Sequence, residues 1–202
     1  MEPLILFTNK GLYCSAGNFY IDPWKPVANA VITHAHSDHA KPGHEKYLCH
    51  RFTKPLLQAR LGPNYYQSVE WNETVFINGV KISLHPAGHI IGSSQIRLEY
   101  NDEVWVVSGD YKTADDGLST AFEPVRCHVF ITESTFGLPI YKWQPQQQTM
   151  QDITAWINTN NQQQTTSVLM GYSLGKMQRL IKQLNHFDFG IYGTSDVVAE
   201  KE

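Results

Sequence analysis

Residues 33–39 read Thr33-His34-Ala35-His36-Ser37-Asp38-His39, so three imidazoles and a carboxylate fall within six consecutive positions. The run ANAVIT, residues 28–33, precedes them with the length and apolar character of a short strand. Imidazole and carboxylate are good ligands for zinc, and also for manganese or iron. In an extended turn His34 and His36 point to the same side. Buried together without a cation, these groups would lose solvation and repel one another. A histidine-rich surface loop is the bland alternative, and the strand that runs straight into H-x-H-x-D-H argues against it.

Two weaker signals follow. His89 sits in Gly88-His89-Ile90-Ile91-Gly92-Ser93 after a strand, flanked by glycines that permit a tight turn. Asp110 closes Ser108-Gly109-Asp110 after the apolar run VWVVS. Each alone is ordinary turn chemistry. Together with the first segment they make three loops that each leave a strand, and strand ends on one rim of a sheet sandwich converge on one pocket.

Around these loops the chain reads as short strands and turns. Asn78-Gly79 and Asn101-Asp102 predict hairpins joining 74–77 to 80–84 and 94–100 to 103–108. Further strands are expected at 17–22, 128–132 and 167–172. Helices are expected over 52–62, with Thr53 as N-cap, over 146–158, and over 174–184, with an amide-rich loop at 158–166. The length, 202 residues, suits one domain or one plus part of a second. Hydrophobic residues make up 42%, enough for a core, and no run approaches the roughly 20 apolar residues that span a bilayer. MEPLILFTNK does not resemble a signal peptide, so no membrane association and a cytoplasmic location are expected. Cys14, Cys49 and Cys127 are odd in number and far apart, and read as buried small hydrophobes. The net charge of −3 excludes a general polyanion binder. Lys41, Lys46, Arg51, Lys54 and Arg60 gather in 41–60 and read as a solvated helix surface, with a phosphate-holding face as the alternative.

The motifs THAHSDH, PAGHIIGSSQ and VVSGDYK, with GLYCSAGNFYIDPW before them and ITESTFGLPIYKW after, resemble the metallo-β-lactamase superfamily. They are similar in particular to its β-CASP nuclease branch and to bacterial ligase-associated DNA exonucleases and messenger-RNA 3′-end processing nucleases. The resemblance implies an α/β (α+β) αββα sandwich, incomplete here, over residues 1–160, and the beginning of a β-CASP domain over 161–202. It implies two divalent metal ions, zinc with manganese as the alternative. His34, His36 and His89 would hold the first, Asp38 and His39 the second, and Asp110 would bridge them; Asp38 and Asp110 would be the catalytic carboxylates. Asp22, closing FYID, and Glu133, in ITESTFG, would orient ligand histidines from outside. Relatives supply further histidines from a C-terminal return, so this chain reads as a C-terminally shortened version of the family.

The implied activity is cleavage of phosphodiesters by a metal-activated hydroxide, on DNA in repair. Alternatives are RNA processing by the same fold, a small-molecule metallo-hydrolase, and an inactive fragment that only binds metal or a partner. Association with a DNA ligase or helicase is implied by the resemblance alone. Lys112 is a candidate phosphate contact. His44 and His50 are expected to be structural or exposed, His85 divides evenly between pocket and structure, and His128 and His186 read as surface. Trp24, Tyr141 and Trp143 can stack on bases, with burial in a core the favoured reading.

Overall fold

A computed structural model of the chain describes residues 3–193. Their contacts divide the chain into two compact units, Met1–Glu133 and Ser134–Glu202.

The first unit is built on two sheets. The first takes β1 (Ile5–Thr8), β2 (Gly11–Cys14), β3 (Phe19–Ile21), β4 (Asn29–Val31), β5 (Lys46–His50) and β6 (Tyr65–Val69), side by side in chain order. β1 to β3 pair antiparallel and β3 to β6 pair parallel. The second sheet runs β11 (Val129–Ile131), β10 (Glu103–Val107), β9 (Ser94–Tyr100), β8 (Val80–Pro86), β7 (Thr74–Ile77). Its two hairpins turn where the sequence predicts. Asn78 and Gly79, at φ 49° and 84°, and Asn101 and Asp102, at 49° and 63°, are all left-handed, as a two-residue turn matching strand twist requires. The strand 128–132 appears as β11, parallel to β10.

One apolar cluster joins the sheets. Cys14, Phe19, Ile21, Val31 and Leu48 from the first pack with Val80, Ile82, Leu84, Ile96 and Leu98 from the second. Each such fully buried aliphatic side chain contributes about 2 kcal/mol by leaving water.

Helix α1 (Thr53–Leu61) crosses from β5 to β6 and buries Leu57. Its N-cap is Phe52 rather than Thr53. The Thr53 hydroxyl is used elsewhere, donating to the carbonyl of Gly92 at 2.8 Å. The basic segment 41–60 is not one helix face: Lys46 opens β5, Arg51 pairs with Glu70 at 3.0 Å, and Arg60 turns inward to the carbonyl of Ala35.

The second unit contains α2 (Gln146–Gln162) and α3 (Lys176–Gln183). α2 runs on through the amide-rich segment expected to be a loop, because Asn and Gln there offer no breaker. It ends as Gln164 takes a left-handed φ of 56°. Segment 167–172 is not a strand: no partner pairs with it among the described residues, and Val168, Met170 and Tyr172 are exposed. The aromatics favoured as core are outside it. Tyr141 and Trp143 are exposed and pack with Phe136, centroids 5.1 and 5.0 Å away; in the first unit Trp24 is exposed, its indole N–H donating to the carbonyl of Asn9. Cys14 and Cys49 are buried thiols, while Cys127 is half-buried. Among the described residues no helix is long and apolar enough to cross a membrane.

Candidate metal centre

Three strand ends reach one place. β4 leads through Ile32 and Thr33 into the turn 34–40, which closes when the N–H of Ala40 donates to the carbonyl of His36 at 2.8 Å. β8 leads into the turn 87–93, where the Ser93 hydroxyl accepts from the N–H of His89 and of Ile90. β10 leads through Ser108 and Gly109 to Asp110. Thr33 is their common abutment. Its carbonyl accepts from the N–H of Ser94 at 2.8 Å, and Gly109, at φ 55°, has no room for a Cβ, which would meet the Thr33 side chain at 2.6 Å.

His34, His36, His89 and Asp110 each direct one ligand atom so that all lie within 4.8 Å of one another. His36 Nδ1 is 3.1 Å from His34 Nε2 and 3.2 Å from His89 Nε2. Asp110 Oδ2 is 3.9 Å from His34 Nε2 and 3.7 Å from His89 Nε2. Tetrahedral zinc with bonds of 2.0–2.1 Å needs ligand atoms roughly 3.3 Å apart, so His36 Nδ1 already stands at coordination spacing from both other nitrogens.

The protonation states suit a cation. Burial, helped by the neighbouring ring charges, holds His34 well below the usual imidazole range, and burial also lowers His89 against the pull of Asp110. Both present lone pairs at neutral pH. Hydrogen bonding to His39 depresses the Asp110 carboxyl, which therefore stays ionised.

His39 lies on the other side of the same carboxylate. Its Nε2 is 3.2 Å from Asp110 Oδ1 and 3.8 Å from Asp38 Oδ2, while its Nδ1 meets Asp22 Oδ2 at 2.7 Å. Burial disfavours charge on this ring, but hydrogen bonds to Asp110 and Asp22 outweigh it and raise His39 to about 10. Protonated, the ring puts a positive charge between the carboxylates, where that side of the site calls for one, and a cation bound at Nε2 would displace that proton. The two oxygens of Asp110 thus face different neighbours, Oδ2 His34 and His89 and Oδ1 His39.

The remaining candidates fall around this group. Asp38 is the most open, its side chain 77% exposed, and it neighbours Arg60, whose guanidinium burial lowers and the Asp38 carboxylate partly restores. Asp22 also accepts from the N–H of Thr33 at 2.8 Å. Asp22, His34 and His39 are near enough to form a second ligand group. The Asp22 oxygens are already taken up by Thr33 and His39, however, and His34 Nδ1 meets the Thr33 hydroxyl at 3.0 Å, so Asp22 reads as the partner that orients His39. Glu133 stands close enough to His89 to favour its charged form. Lys112 is half-buried and its N–H donates to the carbonyl of Ala87 at 2.9 Å, bracing the His89 turn.

The other histidines stand apart. His85 is buried between Ser83, 3.0 Å from its Nε2, and Glu123. His44 is buried beside Tyr47, and His50 stacks on Trp71. His128 and His186 are exposed. Two residues that shape the site carry no motif signal: Thr53 and Arg60, which tie α1 to the ligand turns.

No protein-family profile matches the chain. Among curated proteins it is similar to a "Probable DNA ligase" of Opitutus terrae, 33% identical over 177 residues, which cover 86% of this chain and 17% of that one. It is also similar to the protein named endoribonuclease ysh-1 of Neurospora crassa, 31% identical over 127 residues, covering 60% of this chain and 14% of that one. The chain thus spans less than a fifth of the length of these relatives. A solved structure from Enterococcus faecalis, of unknown function, shares the fold with a TM-score of 0.54 at 13% identity, over 77% of this chain and 44% of that one. A two-sheet α/β sandwich with a histidine–aspartate centre on its rim defines the class. The likeness to proteins named DNA ligase and endoribonuclease supports a place for the chain in the metallo-β-lactamase superfamily, in its β-CASP branch.

Proposed function

We propose that the chain carries the metal centre of a phosphodiesterase acting on nucleic acid, with DNA as substrate and end-directed cutting in repair as its setting. The convergence of His34, His36, His89 and Asp110 carries this reading. In it the three histidines and Asp110 hold one ion, and His39, Asp38 and the second oxygen of Asp110 hold another, zinc being the ion that suits a nitrogen-rich set. Bound there, divalent ions supply a water acidic enough to act as a nucleophile near neutral pH and neutralise charge gathering on phosphate oxygens. The chain's own contribution is orientation. Asp22 fixes the His39 ring, Thr33 fixes the His34 ring, and Asp38, open to solvent, is free to accept a proton from a nearby water.

The similarity to the Opitutus protein over most of the chain supports DNA. The similarity to fungal proteins named endoribonucleases supports the second reading, RNA. Labelled single- and double-stranded DNA and RNA, each incubated with zinc or manganese, test both. Degradation of DNA from its ends is expected, and RNA cleavage alone would move the assignment to the second reading. A chain that binds metal and cuts neither would leave only the metal-binding module.

A further inference from the structure

Helix α1 touches both histidine turns, one with each end. At its start the Thr53 hydroxyl donates to the carbonyl of Gly92 at 2.8 Å, inside the turn that carries His89. That contact is close: Gly92 has φ 75°, and a Cβ there would meet Thr53 Oγ1 at 2.5 Å and the Thr53 N–H nitrogen at 2.6 Å. In its last turn Arg60 sends Nη1 to the carbonyl of Ala35, the residue between His34 and His36. Ala35 is fully buried, so its carbonyl needs a donor from the protein. Between these ends Leu57 is fully buried and holds the helix to the body of the unit. The bond from the N–H of Ser94 to the carbonyl of Thr33 pins the roots of the two turns; α1 spans their outer parts.

We propose that α1 is a strut between the two ligand turns, with Thr53 and Arg60 as positioning residues that set the spacing between His89 and the His34–His36 pair. Its purpose rests on the metal-centre reading, and its geometry does not. A helix is stiff along its axis, so a turn tethered to one end is referred to whatever is tethered at the other. Arginine suits the inner end because its planar fork holds a carbonyl with little further loss of freedom, and its charge persists at any physiological pH.

A strut predicts coupling across its length, which a local structural bond does not. The test uses the full chain, free of metal, with amide hydrogen exchange followed in segments 33–40 and 87–93. Arg60→Ala should speed exchange in the distant 87–93 turn as well as in 33–40. Thr53→Val, which keeps the shape and loses the hydroxyl, should do the reverse, and Arg60→Lys should fall between Arg60→Ala and wild type. The expected change in the distant turn is at least about twofold, the lower end of measured site-to-site coupling. Gln58→Ala, exposed on the same helix, should leave both turns unchanged. Zinc affinity, read by competition with a chromogenic chelator, should fall about tenfold in Arg60→Ala and Thr53→Val, as for other residues that orient ligands. Exchange changes confined to each variant's own turn, in a chain that binds zinc, would overturn the strut and leave the metal centre standing. Coupled exchange in a wild-type chain that takes up no zinc would overturn the metal centre and leave the strut. Should Arg60→Ala not fold, Thr53→Val and Arg60→Lys carry the same comparison.

Discussion

Asp22 Oδ2 lies 2.7 Å from His39 Nδ1, and that contact leaves the other ring nitrogen, Nε2, facing Asp110 Oδ1 at 3.2 Å. A carboxylate behind an imidazole fixes its tautomer and its plane and strengthens the opposite nitrogen as a ligand. Asp22 itself stands at φ 43°, a left-handed position that Asn accepts as readily as Asp. Asp22→Asn therefore removes charge without disturbing the backbone. Metal affinity is expected to fall about 10- to 100-fold with the circular dichroism spectrum unchanged. Equal affinity in a folded variant would show that His39 needs no such partner.

His36 is the hinge of the first ligand group, its Nδ1 within 3.2 Å of both His34 Nε2 and His89 Nε2. It is only half-buried, so His36→Ala should fold. Zinc that binds the native state alone raises stability by about 2.7 kcal/mol at a hundred times its dissociation constant. Wild type should show that rise in melting temperature, His36→Ala should lose it together with any nuclease signal, and a chelator should reverse it in wild type. Hydrolysis persisting in folded His36→Ala would count against metal chemistry at this cluster.

How far the sequence reveals this arrangement depends on what each signal consists of. The hairpins at Asn78-Gly79 and Asn101-Asp102 are legible because the turn itself demands left-handed residues. The ligand turn is legible because so many metal-binding side chains in succession have few other uses. β5 and β6 escape reading: KYLCH does not alternate, since an interior parallel strand buries side chains on both faces, and YYQSV, at the sheet edge, buries only Tyr66 and Val69 and has too few apolar residues to mark a strand. β1 and β2 escape because strands so short carry too little pattern. Segment 167–172 misleads in the opposite direction, because apolar alternation promises a strand but pairing makes one. Thr53 and Arg60 are invisible for a further reason. Their roles are fixed by partners at Gly92 and Ala35, 39 and 25 residues away along the chain.

Two glycines separate backbone strain from crowding. Gly62 has φ 75° and ψ −168°, a combination that essentially only glycine adopts, and nothing within 4 Å of a built Cβ, so Gly62→Ala meets backbone strain alone, about 1–3 kcal/mol. Gly109 has φ 55° and a Cβ there would lie 2.6 Å from Thr33 Cβ, the abutment of all three ligand loops. Gly109→Ala should lower the melting temperature further than Gly62→Ala and should also weaken zinc binding, which Gly62→Ala should leave intact. Similar losses in both variants would show that the loops yield around Thr33.

His50 supplies a test in pH. It is fully buried, its ring stacked 3.4 Å from that of Trp71 at an interplanar angle of 10°, and burial, with the Arg51 charge adding to it, lowers it to about 4 from an ordinary 6.5. The unfolded chain therefore takes up this proton first as the pH falls. The contribution of neutral His50 to stability is complete above pH 6.5, declines between there and about 4, and levels off below, where both states are protonated. The slope approaches about 1.4 kcal/mol per pH unit for one proton. His50→Phe keeps an apolar ring against Trp71 and removes the titration. Other histidines, His44 and His85 among them, are lowered by burial too and keep titrating in the variant, so the difference between the two proteins isolates His50. Urea midpoints measured from pH 7.5 to 4 should fall more steeply for wild type than for His50→Phe across that window. A gap between the two curves that stays constant from pH 7.5 to 4 would mean that His50 titrates in the folded chain as it does in the unfolded one.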